Sequence, residues 1–365
     1  MKRREFTTKA AIGVLAAPVL SSVQAKERLF NLNNAEVKVP LGLDGHAVRG
    51  MKWKDEQVIE YAAELKMDCV LLNSLNYFKS LEDKYLKSLK KQLDKKDLSM
   101  YIGIGSLSVN STTYSPNSGT PGELIETGIR MAKILNSPTV NCKIGNYKDR
   151  LTDGGIVARM EELIKELSAK KSQIQDANLK FAVENHAGDM RSEEVLTVIK
   201  EVGTDVCGAM LDPGNSVWTM ENPMMQIEKL GKYAVCSSIR DYRVWESENG
   251  ATFQWTAIGE GSMDFRKYTK RMSELCPGVP LNIETISDKQ EEIPYLKEDF
   301  WTAYPDLKAS GMRDFFEMLR NGKEIPLPKA PAGEDDKLFA QRHQKEELKK
   351  SIDYLRNKCE AVNKV

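Results

Sequence analysis

Four acidic residues stand at or just past the ends of short apolar runs in the second half of the chain. Glu184 closes Phe181-Ala182-Val183, Asp212 follows Gly208 to Leu211, Asp241 comes just after Ala234 to Ile239, and Glu284 closes Leu281-Asn282-Ile283. A carboxylate in such a place is costly to bury unless it is paired or holds a cation. One alone is most often an acceptor for loop amides. Several on consecutive strand ends are a different matter, because like charges gathered at one mouth raise one another's pKa until a cation neutralises them. Oxygen-rich ligation of this kind suits Mn²⁺, Mg²⁺, Co²⁺ or Zn²⁺. The chemistry within reach is proton transfer: a polarised carbonyl acidifies its α-proton, and a carboxylate removes it to give an enediolate.

The elements that must bring these acids together alternate regularly. Strand-like runs at 37–43, 69–72, 100–104, 139–142, 181–184, 208–211, 234–239 and 281–283 are separated mostly by segments of helical spacing, at 54–66, 85–93, 123–135, 156–167, 195–202 and 225–230. Strict strand-then-helix order implies a parallel sheet with right-handed crossovers. Eight such units predict an α/β fold, a (β/α)8 TIM barrel, whose strand ends converge on one mouth. No G-x-G-x-x-G follows the first strand, which counts against a dinucleotide fold.

Two loops break the rhythm. Residues 242–263 follow the seventh strand with Trp245, Phe253 and Trp255, and residues 287–312 follow the eighth with Tyr295, Phe300, Trp301 and Tyr304. Aromatics at a barrel mouth suit a sugar-stacking wall, and packing of the loops on themselves explains them equally well. The barrel is expected over 26–324, with a Pro-rich linker and a C-terminal helical extension over 325–365. There Leu348, Ile352, Leu355, Cys359 and Val362 form a seam that serves packing on the barrel or a homo-oligomer contact. The seam is expected to pack on the barrel.

Residues 1–25 read as an export signal. Lys2, Arg3 and Arg4 precede an apolar stretch from Ala10 to Leu20, and Val23-Gln24-Ala25 suits cleavage before Lys26. The paired arginines followed by Glu5 and Phe6 resemble a twin-arginine signal, and the expected location is the bacterial periplasm. No cysteine follows the apolar stretch, so no membrane anchor is expected in the mature form. The formal charge is zero; the first nine residues carry +3 of it, which leaves the remainder at −3. A faintly acidic chain without a basic run is a poor partner for nucleic acid. Six scattered cysteines without a C-x-x-C pairing read as buried free thiols, most clearly Cys69, Cys142, Cys207 and Cys236 beside apolar runs.

Phe-Ala-Val-Glu-Asn-His at 181–186, Leu-Asp-Pro-Gly-Asn at 211–215 and Asn-Ile-Glu-Thr at 282–285 resemble, in that order, the xylose isomerase-like TIM barrels of the sugar (phosphate) isomerase/epimerase superfamily. The resemblance covers roughly Lys38 to Asn321. It implies a divalent metal held by Glu184, Asp212, a strand-seven residue and Glu284, with Glu184 and Glu284 also exchanging protons with substrate. Asn215 falls where many members have histidine. On the seventh strand members typically read H-x-K-D, whereas this chain has Ser238-Ile239-Arg240-Asp241. Serine is a weak ligand, and Gln254, His186 or water would have to fill the position. With only three histidines, the chain lacks the histidine-rich zinc cage of the endonuclease IV branch.

The implied substrate is a small carbohydrate. Phosphorylated sugars are scarce outside the cytoplasm and no Gly-rich phosphate loop is present, which favours a free or glycosidic keto-sugar. Together with GLDGHAVRG, RDYRVW and the export signal, the chain is similar to the periplasmic branch that cleaves 3-keto-glycosides by β-elimination. A keto-sugar isomerase or epimerase is the near alternative, and a non-catalytic sugar-binding barrel the reading from another class. Candidates to orient sugar hydroxyls are His46 and Arg49 after the first strand, Lys143 after the fourth, His186 after the fifth, Asn215 after the sixth, and Arg243, Gln254 and Trp255 in the seventh loop. His343 lies in the tail helix, which leaves His46 and His186 as the expected mouth histidines.

Overall fold

Short runs of Val, Leu, Ile and Cys with no polar alternation are what strands buried on both faces require. The computed structural model of the protein describes residues 38–364, and the export-signal residues lie outside them. In chain order the strands are β1 (Leu41–Asp44), β2 (Cys69–Leu72), β3 (Ser99–Ser106), β4 (Thr139–Lys143), β5 (Lys180–Glu184), β6 (Cys207–Leu211), β7 (Ala234–Ser237), β8 (Asp241–Ser247), β9 (Gly250–Thr256), β10 (Leu281–Ile283) and β11 (Gln290–Ile293). Eight of them form one parallel sheet in the order β10-β1-β2-β3-β4-β5-β6-β7. A parallel bridge between Ile239 and Ile283 joins its two edges and closes the barrel. Each of the eight expected strands is present.

Cys69, Leu71, Tyr101, Ala182, Met210 and Cys236 make a small separate core, contributed at alternate positions by β2, β3, β5, β6 and β7, as one layer of a barrel interior. Asn282 joins it, donating from Nδ2 to Ser237 O at 2.8 Å. All six cysteines are buried and free. The larger core lies between the strands and the surrounding helices. The helix Pro121–Leu135 shows how local sequence sets these: Thr120 caps it, Glu123 closes the capping box, and Pro121 occupies the first turn. Its buried face is Leu124, Ile125, Gly128, Met131, Ala132 and Leu135. Among the described residues no helix is long and apolar enough to cross a membrane.

The helix Asp336–Lys358 is capped by Asp335 and packs on the barrel. Arg356 donates to the carbonyl of Leu65 at 3.2 Å, at the end of helix Asp55–Glu64. On its other side Ser351 Oγ accepts from the amide of Ile258 at 2.9 Å, in the segment that leads to helix Phe265–Leu275. Lying between helices Asp55–Glu64 and Phe265–Leu275, this tail takes the place of an eighth helix. Leu348 and Leu355 are fully buried.

The seventh and eighth loops carry structure that their aromatic content did not reveal. β8 and β9 form an antiparallel hairpin, and β11 pairs with β9. Glu248-Asn249 makes the turn, and Gly250, paired with Ser247, opens β9 at φ +146°.

Candidate active site

Glu184 is the last residue of β5 and is buried. The next residue ties its strand to the neighbour: Asn185 accepts from the amide of Asp212 at 3.0 Å and donates to its carbonyl at 2.8 Å. This staple sets Glu184 and Asp212 side by side. One Glu184 oxygen accepts from Asn73 Nδ2 at 3.0 Å, just past β2. Burial pushes the Glu184 pKa up, and the Glu284 charge adds to the effect, against the pull of Lys143 and Arg240.

Lys143, which ends β4, places Nζ 2.8 Å from His186 Nε2. His186 Nδ1 faces the carbonyl of Gly145, so it carries the proton and Nε2 accepts from the ammonium. Burial and the Lys143 charge hold the imidazole pKa well below its ordinary value, and the ring is neutral. The turn beyond is clamped by Asp189, which accepts from the amides of Gly145, His186 and Met190.

Asp212 is the N-cap of the short helix Pro213–Trp218. It accepts from the amide of Asn215 at 2.9 Å and from Asn215 Nδ2 at 2.7 Å. Its third donor is Arg240, whose Nη2 also binds Glu284 Oε2. Arg240 and Asp212 are both buried. Burial works against the guanidinium charge, but Asp212, Glu284, Glu184 and Asp44 outweigh it and raise the Arg240 pKa. The same charge holds Glu284 below the ordinary glutamate value in spite of burial. Ser238 Oγ reaches Glu284 Oε2 at 2.7 Å and Asp44 Oδ2 at 3.1 Å. Trp255 covers the group, its ring 4.6 Å from the Arg240 guanidinium carbon. Among the described residues, two buried polar atoms here have no partner, Arg240 Nε and Asn215 Oδ1.

Several expected site residues stand elsewhere. Asp241 has left the ring of acids: it accepts from the amides of Tyr242, Gly259, Gly261 and Met263 at 2.8–3.1 Å and pins the seventh loop. Gln254 uses both ends of its amide on Ser287 O and Gln290 Nε2. Arg243 donates to Glu260 O, and Arg49 pairs with Asp288. His46 stays at the mouth, exposed at its surface: desolvation of its ring, with the Arg49, Arg240 and Lys143 charges, lowers its pKa to about 4 against the attraction of Glu284. Trp255 is buried and bonded to Gly214 O at 3.0 Å, so it packs on Arg240 and offers no open stacking face. Tyr147, 40% exposed, stacks on Trp218 at the rim of a cavity of about 580 Å³ that Phe300 and Tyr304 also line. His343, set aside as a tail residue, binds Ser287 Oγ at 2.9 Å, three residues past Glu284.

Asp44, Asn73 and Arg240 are the site residues that the sequence reading did not include. Asp44 ends a strand in the same manner as Glu184 and could have been found by that rule. Arg240 was in view only as part of the altered strand-seven motif.

Residues 59–303 match the family model described as xylose isomerase-like TIM barrel. The chain belongs to that family. A curated relative, the uncharacterized protein YihM of Escherichia coli (strain K12), is 23% identical over 219 residues, which is 60% of each chain. This chain thus matches less than two thirds of that relative's length. Among solved structures, D-psicose 3-epimerase with D-tagatose from Clostridium cellulolyticum H10 is 14% identical, with 86% of this chain and 98% of that one covered at a TM-score of 0.53. The IOLI protein with a bound zinc atom is 11% identical over 78% of this chain and all of its own, also at 0.53. At these identities the two structures show a shared barrel.

A divalent ion, which the family resemblance implied, does not fit the donors as they stand. Asp212 has both oxygens engaged by Asn215 and Arg240, and Glu284 Oε2 is engaged by Arg240 and Ser238. An ion bridging these two acids would sit against a buried guanidinium in a medium that screens poorly. Ser238 supplies a proton where the family pattern supplies a nitrogen ligand. Among the described residues, no group of three or more His, Cys, Asp and Glu side chains is arranged to hold a metal ion.

Proposed function

We propose that this barrel removes the proton next to the carbonyl of a small, non-phosphorylated keto-sugar, and that its reaction is β-elimination of 3-keto-glycosides. One observation carries the choice. Of the two glutamates at the mouth, Glu284 is held as an anion by Arg240 and Ser238, whereas Glu184, among the described residues, accepts a hydrogen bond from the neutral amide of Asn73 and forms no ion pair. Epimerising a carbon calls for a group that removes a proton on one face and another that returns it on the other; elimination calls for one base.

In this scheme the Glu184 carboxylate takes the C2 proton, and the C–H electron pair moves into an enolate whose oxygen the Lys143 ammonium stabilises. The enolate pair then forms the C1–C2 double bond while the C1–O bond breaks toward the aglycone oxygen. The proton held by Glu184 is available to that oxygen, so charge and protons balance without a co-reactant. The aromatic cavity beside Tyr147 and Trp218 gives the aglycone a place to lie.

Incubation with a 3-keto-glucoside in D₂O tests the proposal. Release of the aglycone with an unsaturated keto-sugar is the expected result. Deuterium entering C2 while the glycoside stays intact would replace the lyase with an epimerase or isomerase. Neither exchange nor cleavage would end the proton-transfer reading for this substrate class.

A further inference from the structure

We infer that the Arg240 guanidinium is the permanent cation of this mouth, standing by charge and position where a divalent metal would otherwise be required, so that the site assembles and works without one. The inference rests on the mouth being the reactive site, but its first readout is metal binding and not turnover.

Buried acids brought together by barrel closure need a counter-charge, and a fixed side chain supplies it as well as an ion does. Arg240 Nη2 binds Asp212 and Glu284 at once, from strand ends that lie on either side of its own. The surroundings are shaped for a guanidinium. A Cβ on Gly214 would fall 2.1 Å from Arg240 Cγ and 3.0 Å from Trp255 Nε1, so glycine there gives the arginine stem its passage. Trp255 is anchored by that same residue's carbonyl and lays its ring over the charge, a cation–π contact. Ser238 completes the arrangement as a small donor to Glu284. A histidine in its place would put a bulky ring, and a metal-binding nitrogen, into a space now used by two carboxylates and a hydroxyl.

The test uses the full-length chain, stripped with EDTA and then titrated with Mn²⁺ or Zn²⁺. The wild type should hold well under one metal ion per chain by elemental analysis, show no rise in Tm with either ion, and keep its activity in chelator. Arg240→Ala should lower Tm by leaving the acids unneutralised, and Mn²⁺ or Zn²⁺ should restore it. Arg240→Lys, which keeps the charge, should stay folded and unresponsive to metal. The Ser238→His, Arg240→Ala pair should bind metal more tightly than Arg240→Ala alone. One equivalent of tightly held metal in the wild type would overturn the inference, as would a folded double variant that takes up none. A wild type that binds no metal and ignores keto-glycosides removes the functional proposal and leaves this one standing. One that turns them over only with added metal overturns this one alone.

Discussion

Ser238 Oγ lies 3.1 Å from Asp44 Oδ2 and 2.7 Å from Glu284 Oε2, and one hydroxyl proton cannot serve both. Glu284, anionic against Arg240, takes it. The contact with Asp44 then needs a proton on Asp44 itself, and burial together with the Glu284 charge does push the Asp44 pKa well above its ordinary 3.8. The folded chain therefore binds a proton here that the unfolded chain has released at neutral pH, so this contribution to stability falls as pH rises from 3.8 through the folded value. Asp44→Asn keeps an acceptor for the His46 amide and a donor for Ser238. Urea midpoints should show the variant gaining on the wild type between pH 4 and pH 7. A difference that is constant across that range would mean Asp44 is ionised in the fold.

Asp241→Ala should be a stability mutation. Its carboxylate accepts four backbone amides, and burial raises its pKa to about 6 even against them. Each buried N–H left without an acceptor costs ~1–3 kcal/mol, so a loss of at least ~3 kcal/mol is expected in denaturant unfolding. Asp241→Asn retains one acceptor oxygen and should fall in between. A loss of activity with unchanged stability would instead return Asp241 to the chemistry.

The barrel was legible because buried parallel strands print themselves as apolar runs of fixed order, and Glu184, Asp212 and Glu284 were legible as costly residues at their ends. What those acids bind was not. Nothing in the spacing of Arg240 says that its side chain turns inward to meet Asp212, because that depends on the room left by Gly214 and the cover given by Trp255, 26 and 15 residues away. Asp241 was misplaced for a similar reason: it follows its strand as Glu184 does, but the loop amides that surround it come from residues 242–263. The hairpin over 241–256 had a readable signal in the Asn249-Gly250 pair at the end of its turn, which the aromatic residues nearby obscured. The tail helix showed its seam in the sequence, and only its neighbours could show which surface the seam covers.

Leu355→Ala separates packing on the barrel from an oligomer contact. Leu355 is fully buried within the chain, and truncation of such a leucine typically costs ~2–5 kcal/mol. The expected result is a lower Tm that does not depend on protein concentration. A variant of unchanged Tm whose oligomeric state shifts would place the seam at an interface between copies.

Glu184→Gln and Glu284→Gln are not expected to be equivalent. Glutamine at 184 keeps the Asn73 hydrogen bond through its carbonyl oxygen and removes the base, and acid–base catalysis typically contributes ~10²–10⁴-fold. Turnover should fall by that factor with the Tm nearly unchanged. In the wild type, burial raises the Glu184 pKa, so kcat/KM should climb with pH as this group ionises, and the limb should vanish in the variant. Glutamine at 284 removes the charge that faces Arg240 and lets Asp212 carry the ion pair alone. That change should lower Tm and disturb sugar binding while the pH limb persists, since Glu184 is intact. A symmetric pair of bases makes the opposite forecast, equal losses in turnover and the same change in the pH profile for both variants. Steady-state kinetics of the two variants across pH, with a Tm for each, decides between them.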